Sequence, residues 1–285
     1  MDASALGDAM RVISEPTAVT VGTFDGVHLG HQFLLRQLKD LAQERGLKTC
    51  VVTFDRSPRE FLAGDFTVGR LSTLGEKISL LREQGIDHIV PLSFTSQVAC
   101  VSAKDFTLML RDQLGMSLLV MGPSNRIGRG GGGTPETLTS LGEELGFEVA
   151  IAQAYEPGVS VSSTQIRRAL QCGDVAKANL LLGRPYVVPG CMLRNTGARL
   201  ELLVPQDRVL PQRGSFDAEI IADWTRFPAL AHCQAPTPGE PYRTLGLTCE
   251  LEPAGLLSAV SIQIHGLDRN VSTTSEFFPK LFLWS

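Results

Sequence analysis

No stretch of this sequence approaches the roughly 18 consecutive apolar residues of a membrane-spanning helix, so an integral helical membrane protein is not expected. There is no C-x-x-C pair: six cysteines (Cys50, Cys100, Cys172, Cys191, Cys233, Cys249) are scattered along the chain. That spacing fits neither a zinc knuckle nor a small disulfide scaffold, and it reads as buried or inert thiols. Basic residues are not in surplus: 26 Lys and Arg against 30 Asp and Glu leave a formal charge of −4. A general nucleic-acid or membrane-surface binder needs a basic face, so neither partner is expected, although the total leaves room for a local basic pocket. The N-terminal stretch carries Asp2, Asp8, Arg11 and Glu15 and no long apolar run, which is not the pattern of a signal peptide. A cytoplasmic protein is the expectation, and nothing in the sequence fixes an oligomeric state.

What is present is the composition of a globular protein, 43% hydrophobic and 20% charged over 285 residues, enough for one large domain or two ordinary ones. From Thr17 to about Tyr155, short apolar runs alternate with amphipathic stretches. Ala18–Val21, Thr49–Phe54, His88–Leu92, Ser117–Met121 and Glu148–Ala152 read as strands. His31–Glu44, with Phe33, Leu34, Leu35, Leu38 and Leu41 inward, reads as a helix, as do Glu76–Gln84, Asp105–Leu114 and Pro135–Leu145. Near-continuous apolar strands separated by helices predict a doubly wound α/β fold around a parallel sheet covered on both faces, with ligands at the carboxyl ends of the strands. After Leu182 the character changes. Gly183-Arg184-Pro185 and recurrent prolines punctuate short alternating stretches such as Glu219-Ile220-Ile221, Thr244–Leu251 and Ala259–His265, which predict a smaller antiparallel barrel or sandwich. The domains are expected at 1–184 and 185–285.

Two segments carry chemistry. Gly22-Thr23-Phe24-Asp25-Gly26-Val27-His28-Leu29-Gly30-His31 lies where the first strand gives way to the first helix. Glycines allow close backbone approach, and the helix start offers free N–H groups and a positive dipole end, which suits phosphate. His28 and His31 would lie on one side of that turn and donate hydrogen bonds to phosphate oxygens; the alternatives are a metal pair or two ordinary surface histidines. In Val161-Ser162-Ser163-Thr164-Gln165-Ile166-Arg167-Arg168, three hydroxyls precede a helix expected over Thr164–Gln171 with two arginines in its first turn. Hydroxyls there normally cap the helix, but arginines oppose the dipole, and a triphosphate would compensate them.

In this order and separation, the two segments resemble those of the HxGH nucleotidyltransferase superfamily, whose fold is Rossmann-like. Val51-Val52-Thr53-Phe54-Asp55, Pro58-Arg59-Glu60-Phe61, Arg70-Leu71-Ser72-Thr73-Leu74-Gly75-Glu76-Lys77 and Leu181-Leu182-Gly183-Arg184-Pro185-Tyr186 extend the likeness to the bacterial bifunctional riboflavin kinase/FMN adenylyltransferase (FAD synthetase) family. The resemblance is close over 18–188 and faint beyond. It implies adenylyl transfer from ATP to FMN with Mg²⁺, giving FAD and pyrophosphate. It also implies that His28 and His31 stabilise transition-state charge on the α- and β-phosphates. Gly22, Phe24, Asp25 and Gly30 would shape the nucleotide cradle, while Ser162, Ser163, Thr164 and Arg167 would hold the β- and γ-phosphates. Asp25 reads equally as a structural acceptor in the turn or as an aid to Mg²⁺.

The chain departs from the family on the flavin side. The usual Gly-x-Asp-Phe-x-Phe-Gly is Gly122-Pro123-Ser124-Asn125-Arg126-Ile127-Gly128, the usual Asp-Pro-His-Pro is Asp55-Arg56-Ser57-Pro58, and the glycine loop reads Arg129-Gly130-Gly131-Gly132-Gly133-Thr134. Ser57, Ser124, Asn125 and Ile127 are therefore the expected acceptor-binding residues, and two stacking aromatics are missing. Beyond residue 190 the family's Pro-Thr-Ala-Asn kinase segment does not occur, and Gln263 stands where its glutamate base is expected. Glutamine does not accept a proton usefully at neutral pH, so riboflavin kinase activity is expected to be absent. The chain also ends, at Phe282-Leu283-Trp284-Ser285, without the family's closing helix. The alternatives are the same chemistry on a different phosphorylated acceptor, or a non-catalytic nucleotide- or flavin-binding regulator.

Overall fold

The structure is a computed structural model that describes residues 12–58, 61, 69–155, 161–195, 199–211, 214–222, 225–233, 242–249 and 259–267. Asp2, Asp8, Arg11, Arg59, Glu60, Glu250, Leu251 and Phe282 to Ser285 lie outside the described residues, as does 196–198 within the region expected to carry the kinase segment. The chain divides into two units, Met1–Ser163 and Thr164–Ser285.

The first unit is built on five parallel strands: β1 (Thr17–Gly22), β2 (Lys48–Phe54), β3 (His88–Leu92), β4 (Met116–Met121) and β5 (Glu148–Ile151). Their spatial order is β3-β2-β1-β4-β5. The chain winds outward from β1 to β3, then returns to place β4 on β1's other side. The sheet thus has its topological switch point between β1 and β4, where open α/β sheets bind ligands. The segments after these two strands are Gly22–His31 and Gly122–Thr134, so the two regions singled out in the sequence emerge at one crevice.

The strands are apolar on both faces because both faces are covered. Val19, Val21, Cys50, Val52, Leu119 and Met121 turn to one side, where Phe106, Met109 and Leu110 of α4 (Ala103–Leu114) and Leu138 of α5 (Pro135–Leu145) pack on them. Ala18, Val51, Leu118 and Val120 turn to the other, against Leu35, Leu38 and Ala42 of α1 (Leu29–Arg45) and Leu81 of α2 (Leu74–Glu83). Leu118 and Leu119 are fully buried, and truncating either to alanine costs about 2–5 kcal/mol. Phe33, expected inward, instead packs its ring on Tyr155 with centroids 5.6 Å apart.

Local sequence sets the helix ends. Thr73 and Glu76 form a reciprocal capping box on α2, and Thr134 with Pro135 starts α5. Gly46, Gly115 and Gly146 close α1, α4 and α5 in the left-handed conformation. A short helix not expected from sequence, α3 (Ser96–Cys100), spans too few residues to show a helical period and rests on its Thr95 cap. Pro91 is tolerated in β3 because that strand is an edge.

Beyond α6 (Ser163–Gln171) and α7 (Val175–Leu182), the second unit contains β6 (Tyr186–Asn195), β7 (Arg199–Pro205), β8 (Gly214–Ala222), β9 (Thr225–Cys233), β10 (Tyr242–Cys249) and β11 (Ala259–Leu267). They close an antiparallel barrel in the order β10-β7-β6-β11-β8-β9. Alternate residues fill it: Leu200, Leu202 and Val204 from β7, Phe216, Ala218 and Ile220 from β8, Val260, Ile262 and Ile264 from β11. Asn179 of α7 ties helix to barrel, donating to the Ile264 and His265 carbonyls and accepting from the Tyr186 amide at 2.8 Å. The α7 helix was not foreseen; Asp174 and Gly183 cap its two ends. Of the cysteines, Cys50, Cys233 and Cys249 are buried while Cys100, Cys172 and Cys191 are exposed. Burial pushes the Cys50 and Cys233 thiols up to about 12, so these two are inert at neutral pH.

Candidate active site

The turn from β1 into α1 is held in an unfavourable backbone conformation. Phe24 (φ 47°) and Val27 (φ 38°) lie in the left-handed region without being glycine, each at a cost of about 1–3 kcal/mol. Bonds from several directions hold it there. The Asp25 carboxylate accepts from the amides of Leu71 (3.1 Å) and Ser72 (3.0 Å) and from the Ser72 hydroxyl (3.1 Å). Ser72 Oγ in return accepts from the Gly26 amide at 2.9 Å. Thr53 Oγ1 donates to the Thr23 carbonyl, and Ser163 Oγ donates to the Asp25 carbonyl at 3.0 Å. The second sequence motif is thus joined to the first across 138 residues. Of the two readings open for Asp25, the structure displays the acceptor role: its carboxylate is buried and turned to the 71–72 segment.

His28 occupies the N-cap of α1, where Nδ1 accepts from the His31 amide at 3.3 Å. An imidazole nitrogen that accepts carries no proton, so in the neutral ring the His28 proton resides on Nε2. Position 30 must be small: a Cβ there would lie 3.2 Å from His28 Cε1 and 3.4 Å from the Val161 carbonyl oxygen. The ring folds back over this gap and stacks on His31, with centroids 3.6 Å apart and planes 15° from parallel. The Phe24 ring, only 1% exposed, props His31 from beneath with centroids 5.1 Å apart. The spacing H-x-G-H therefore encodes a cap, a gap and a stack.

Burial holds the His31 imidazole well below its ordinary value of 6.5, and the neighbouring His28 and Lys77 lower it further. Two imidazolium cations stacked this closely would repel, which is how His28 lowers His31. Among the described residues nothing bonds to the buried Nδ1 of His31. The first turn of α1 carries no acidic side chain, which leaves its positive end for an anionic ligand.

Lys77 is a functional candidate that sequence reasoning passed over. It is 4% exposed and donates from Nζ to the Phe54 carbonyl at 2.7 Å. A signal existed: it lies four residues before the buried Leu81, on the inner face of α2, where a lysine is not usual.

On the β4 side, a cavity of about 340 Å³ opens at the carboxyl ends of the strands, between Phe54, Phe94, Phe106, Asn125, Arg126 and Ile127. The Asn125 amide donates to the Gly122 carbonyl, closing a tight turn, and Ile127 bridges Gly133. Gly128 (φ 74°) passes so close to α4 that a Cβ would lie 2.5 Å from the Ala103 amide nitrogen. Asn125 and Ile127 line the cavity, Ser124 is exposed at the turn, and Ser57, half-buried beside the lining residue Pro58, accepts from the Phe61 amide through its carbonyl. Three phenylalanines, Phe54, Phe94 and Phe106, give the cavity its aromatic walls.

Ser162 and Ser163 are half-buried in the first unit; Thr164, exposed, and Arg167, half-buried, belong to the second. The helix begins at Ser163, one residue earlier than expected, so Arg167 and Arg168 fall past its first turn. The anticipated conflict with the dipole is correspondingly weaker. On the barrel, Gln263 Oε1 accepts from Arg226 at 2.7 Å, and Arg226 also reaches Glu219 at 3.1 Å.

A doubly wound parallel sheet whose first strand leads through a strained turn into a histidine-capped helix, beside an aromatic cavity at the switch point, defines an enzyme of the nucleotidyltransferase class. The chain belongs to the FAD synthetase family, whose model matches residues 11–165. It is 34% identical over 221 residues to the bifunctional riboflavin kinase/FMN adenylyltransferase of Pseudomonas fluorescens, covering 75% of this chain and 71% of that protein. The protein of the same name from Escherichia coli strain K12 is 33% identical over 215 residues, 73% and 69% of the respective chains. A crystal structure described as a macrolide-efflux protein from Streptococcus pneumoniae superposes with a TM-score of 0.80 at 22% identity, over 93% of this chain and 89% of that one; it shows the fold alone. No helix among the described residues is long and apolar enough to cross a membrane.

Proposed function

We propose that the chain transfers the adenylyl group of ATP to FMN and carries no riboflavin kinase activity. The observation that carries this reading is the stacked His28–His31 pair at the start of α1, beside an aromatic-walled cavity. An FMN phosphate oxygen attacks the α-phosphorus of ATP; the bond to the bridging α,β oxygen breaks, and pyrophosphate leaves. Such transfers rest on positioning and charge stabilisation rather than covalent catalysis. His28 donates from Nε2 and His31 from its protonated ring nitrogen to oxygens that gain charge. The first-turn amides of α1 add their dipole. Gly22, Phe24, Asp25 and Gly30 form the cradle, Phe24 and Asp25 from below. Ser162, Ser163, Thr164 and Arg167 act on the β- and γ-phosphates, and Ser57, Ser124, Asn125 and Ile127 on the acceptor.

Mg²⁺ would enter as the counter-ion of the triphosphate, which itself supplies oxygen ligands and offsets the ion's charge. Among the described residues no three His, Cys, Asp or Glu side chains converge on a point, and the Asp25 carboxylate is engaged with 71–72. We place the functional modules at 1–184, for adenylyl transfer, and 185–285, a barrel whose kinase function is lost. The absence of Pro-Thr-Ala-Asn after residue 190 and the glutamine at 263 support that loss.

The test uses ATP labelled at either end. Label from the α-phosphate is expected in the flavin product and label from the γ-phosphate in pyrophosphate. Appearance of γ-label in a flavin would contradict the reading.

A further inference from the structure

Among the residues lining the cavity at the switch point, three have polar side chains: Thr23, Asn125 and Arg126. Arg126 can only donate, and a threonine hydroxyl can serve either way. Asn125 is different because its orientation is set by chemistry. Its Nδ2 donates to the carbonyl of Val21, the penultimate residue of β1, at 3.2 Å. A carbonyl oxygen only accepts, so the nitrogen end of the amide must face it, and Oδ1 must face the other way. Among the described residues nothing donates to Oδ1. The Asn125 backbone is fixed as well, through its amide bond to the Gly122 carbonyl at 3.0 Å. A residue lining this aromatic-walled cavity thus carries a side-chain acceptor of fixed orientation with no donor among the described residues, the arrangement that reads a ring donor.

We infer that Asn125 determines acceptor specificity by accepting, at Oδ1, a hydrogen bond from an in-plane N–H of the acceptor's ring system. This rests on the acceptor reading proposed above and deepens it. The acceptor is then a heteroaromatic phosphomonoester with an imide-type N–H, which the isoalloxazine of FMN supplies at N3, held between apolar walls. The bond to Val21 aims the acceptor, and the phenylalanines supply the apolar area.

The experiment measures binding by calorimetry of FMN and of N3-methyl-FMN, which lacks that proton, to the full chain and to Asn125→Leu, a variant of similar volume. The full chain is expected to prefer FMN roughly tenfold. Asn125→Leu is expected to lose that factor for FMN while binding N3-methyl-FMN and ATP as the parent does. Should Leu perturb the loop enough to weaken ATP, Asn125→Ala carries the same expectation. Equal weakening of both flavins, or an unchanged preference for FMN, would overturn the inference and leave Asn125 as a loop strut. Binding of neither flavin by the parent chain, with ATP still bound, would overturn the acceptor reading together with it.

Discussion

The imidazoles of His28 and His31 lie face to face, 3.6 Å between centroids, with the His31 backbone amide donating to Nδ1 of His28. One histidine therefore caps the helix on which the other stands, and burial with the neighbouring His28 holds the His31 ring neutral. Both are expected to matter for catalysis, and the cap is expected to survive substitution by asparagine. His31→Asn removes a donor to the transition state and is expected to lower kcat about 10²–10³-fold with little change in ATP affinity. His28→Asn keeps a capping side chain and is expected to hold stability within about 1 kcal/mol while lowering kcat similarly. Steady-state kinetics paired with urea denaturation separates lost catalysis from lost folding; a His31→Asn enzyme of unchanged kcat contradicts the assignment.

Stability should fall on mild acidification, and His31 should be part of the reason. In the folded chain its pKa is lowered by burial, then by His28 and Lys77. As pH falls through 6.5 the unfolded chain takes up a proton that the folded chain refuses, so the unfolded state gains. His232, lowered by burial and by Arg199, acts in the same direction. The loss of unfolding free energy between pH 7.5 and 5.5 is expected to be smaller in His31→Asn than in the parent, though not zero. An identical pH slope in the two proteins would contradict a neutral, buried His31.

Asp25 separates a structural role from metal binding. Asp25→Asn keeps size but forfeits acceptors for the Leu71 and Ser72 amides, leaving buried donors unpaired, and about 2 kcal/mol of stability is expected to go. The Mg²⁺ concentration for half-maximal rate is expected to stay where it is. A large shift in that concentration with unchanged stability would make Asp25 a ligand to the ion.

Gly128→Ala places a methyl 2.5 Å from the Ala103 amide at a positive φ, so the 122–134 loop must move. Because the loop borders the acceptor cavity, KM for the acceptor should rise about tenfold or more for a displacement near 1 Å, while ATP binding changes little. Equal effects on both substrates would show that the cavity does not belong to the acceptor alone.

Much of this architecture was legible in the residues. The apolar runs gave the five strands, and alternation after Leu182 gave the barrel, because burial on two faces and on one face leave different periods. The two segments singled out in the sequence meet in the fold, where Ser163 Oγ donates to the Asp25 carbonyl, and both lie at a helix start. What escaped depends on long-range contact. Phe94 and Phe106 line the cavity beside the 122–128 loop, yet they come from the segments after β3 and within α4. Lys77 reads as an ordinary helix lysine until the partner of its ammonium, a carbonyl at the end of β2, is seen. The rotation of Phe33 toward Tyr155 likewise depends on where β5 ends.

The most direct test of the whole account is a paired reaction followed by chromatography: the full chain with ATP and Mg²⁺, once with FMN and once with riboflavin. The account predicts FAD and pyrophosphate from FMN and no phosphorylated flavin from riboflavin. FMN or FAD arising from riboflavin would contradict the loss of the kinase, and no FAD from FMN, with ATP bound, would contradict the central claim.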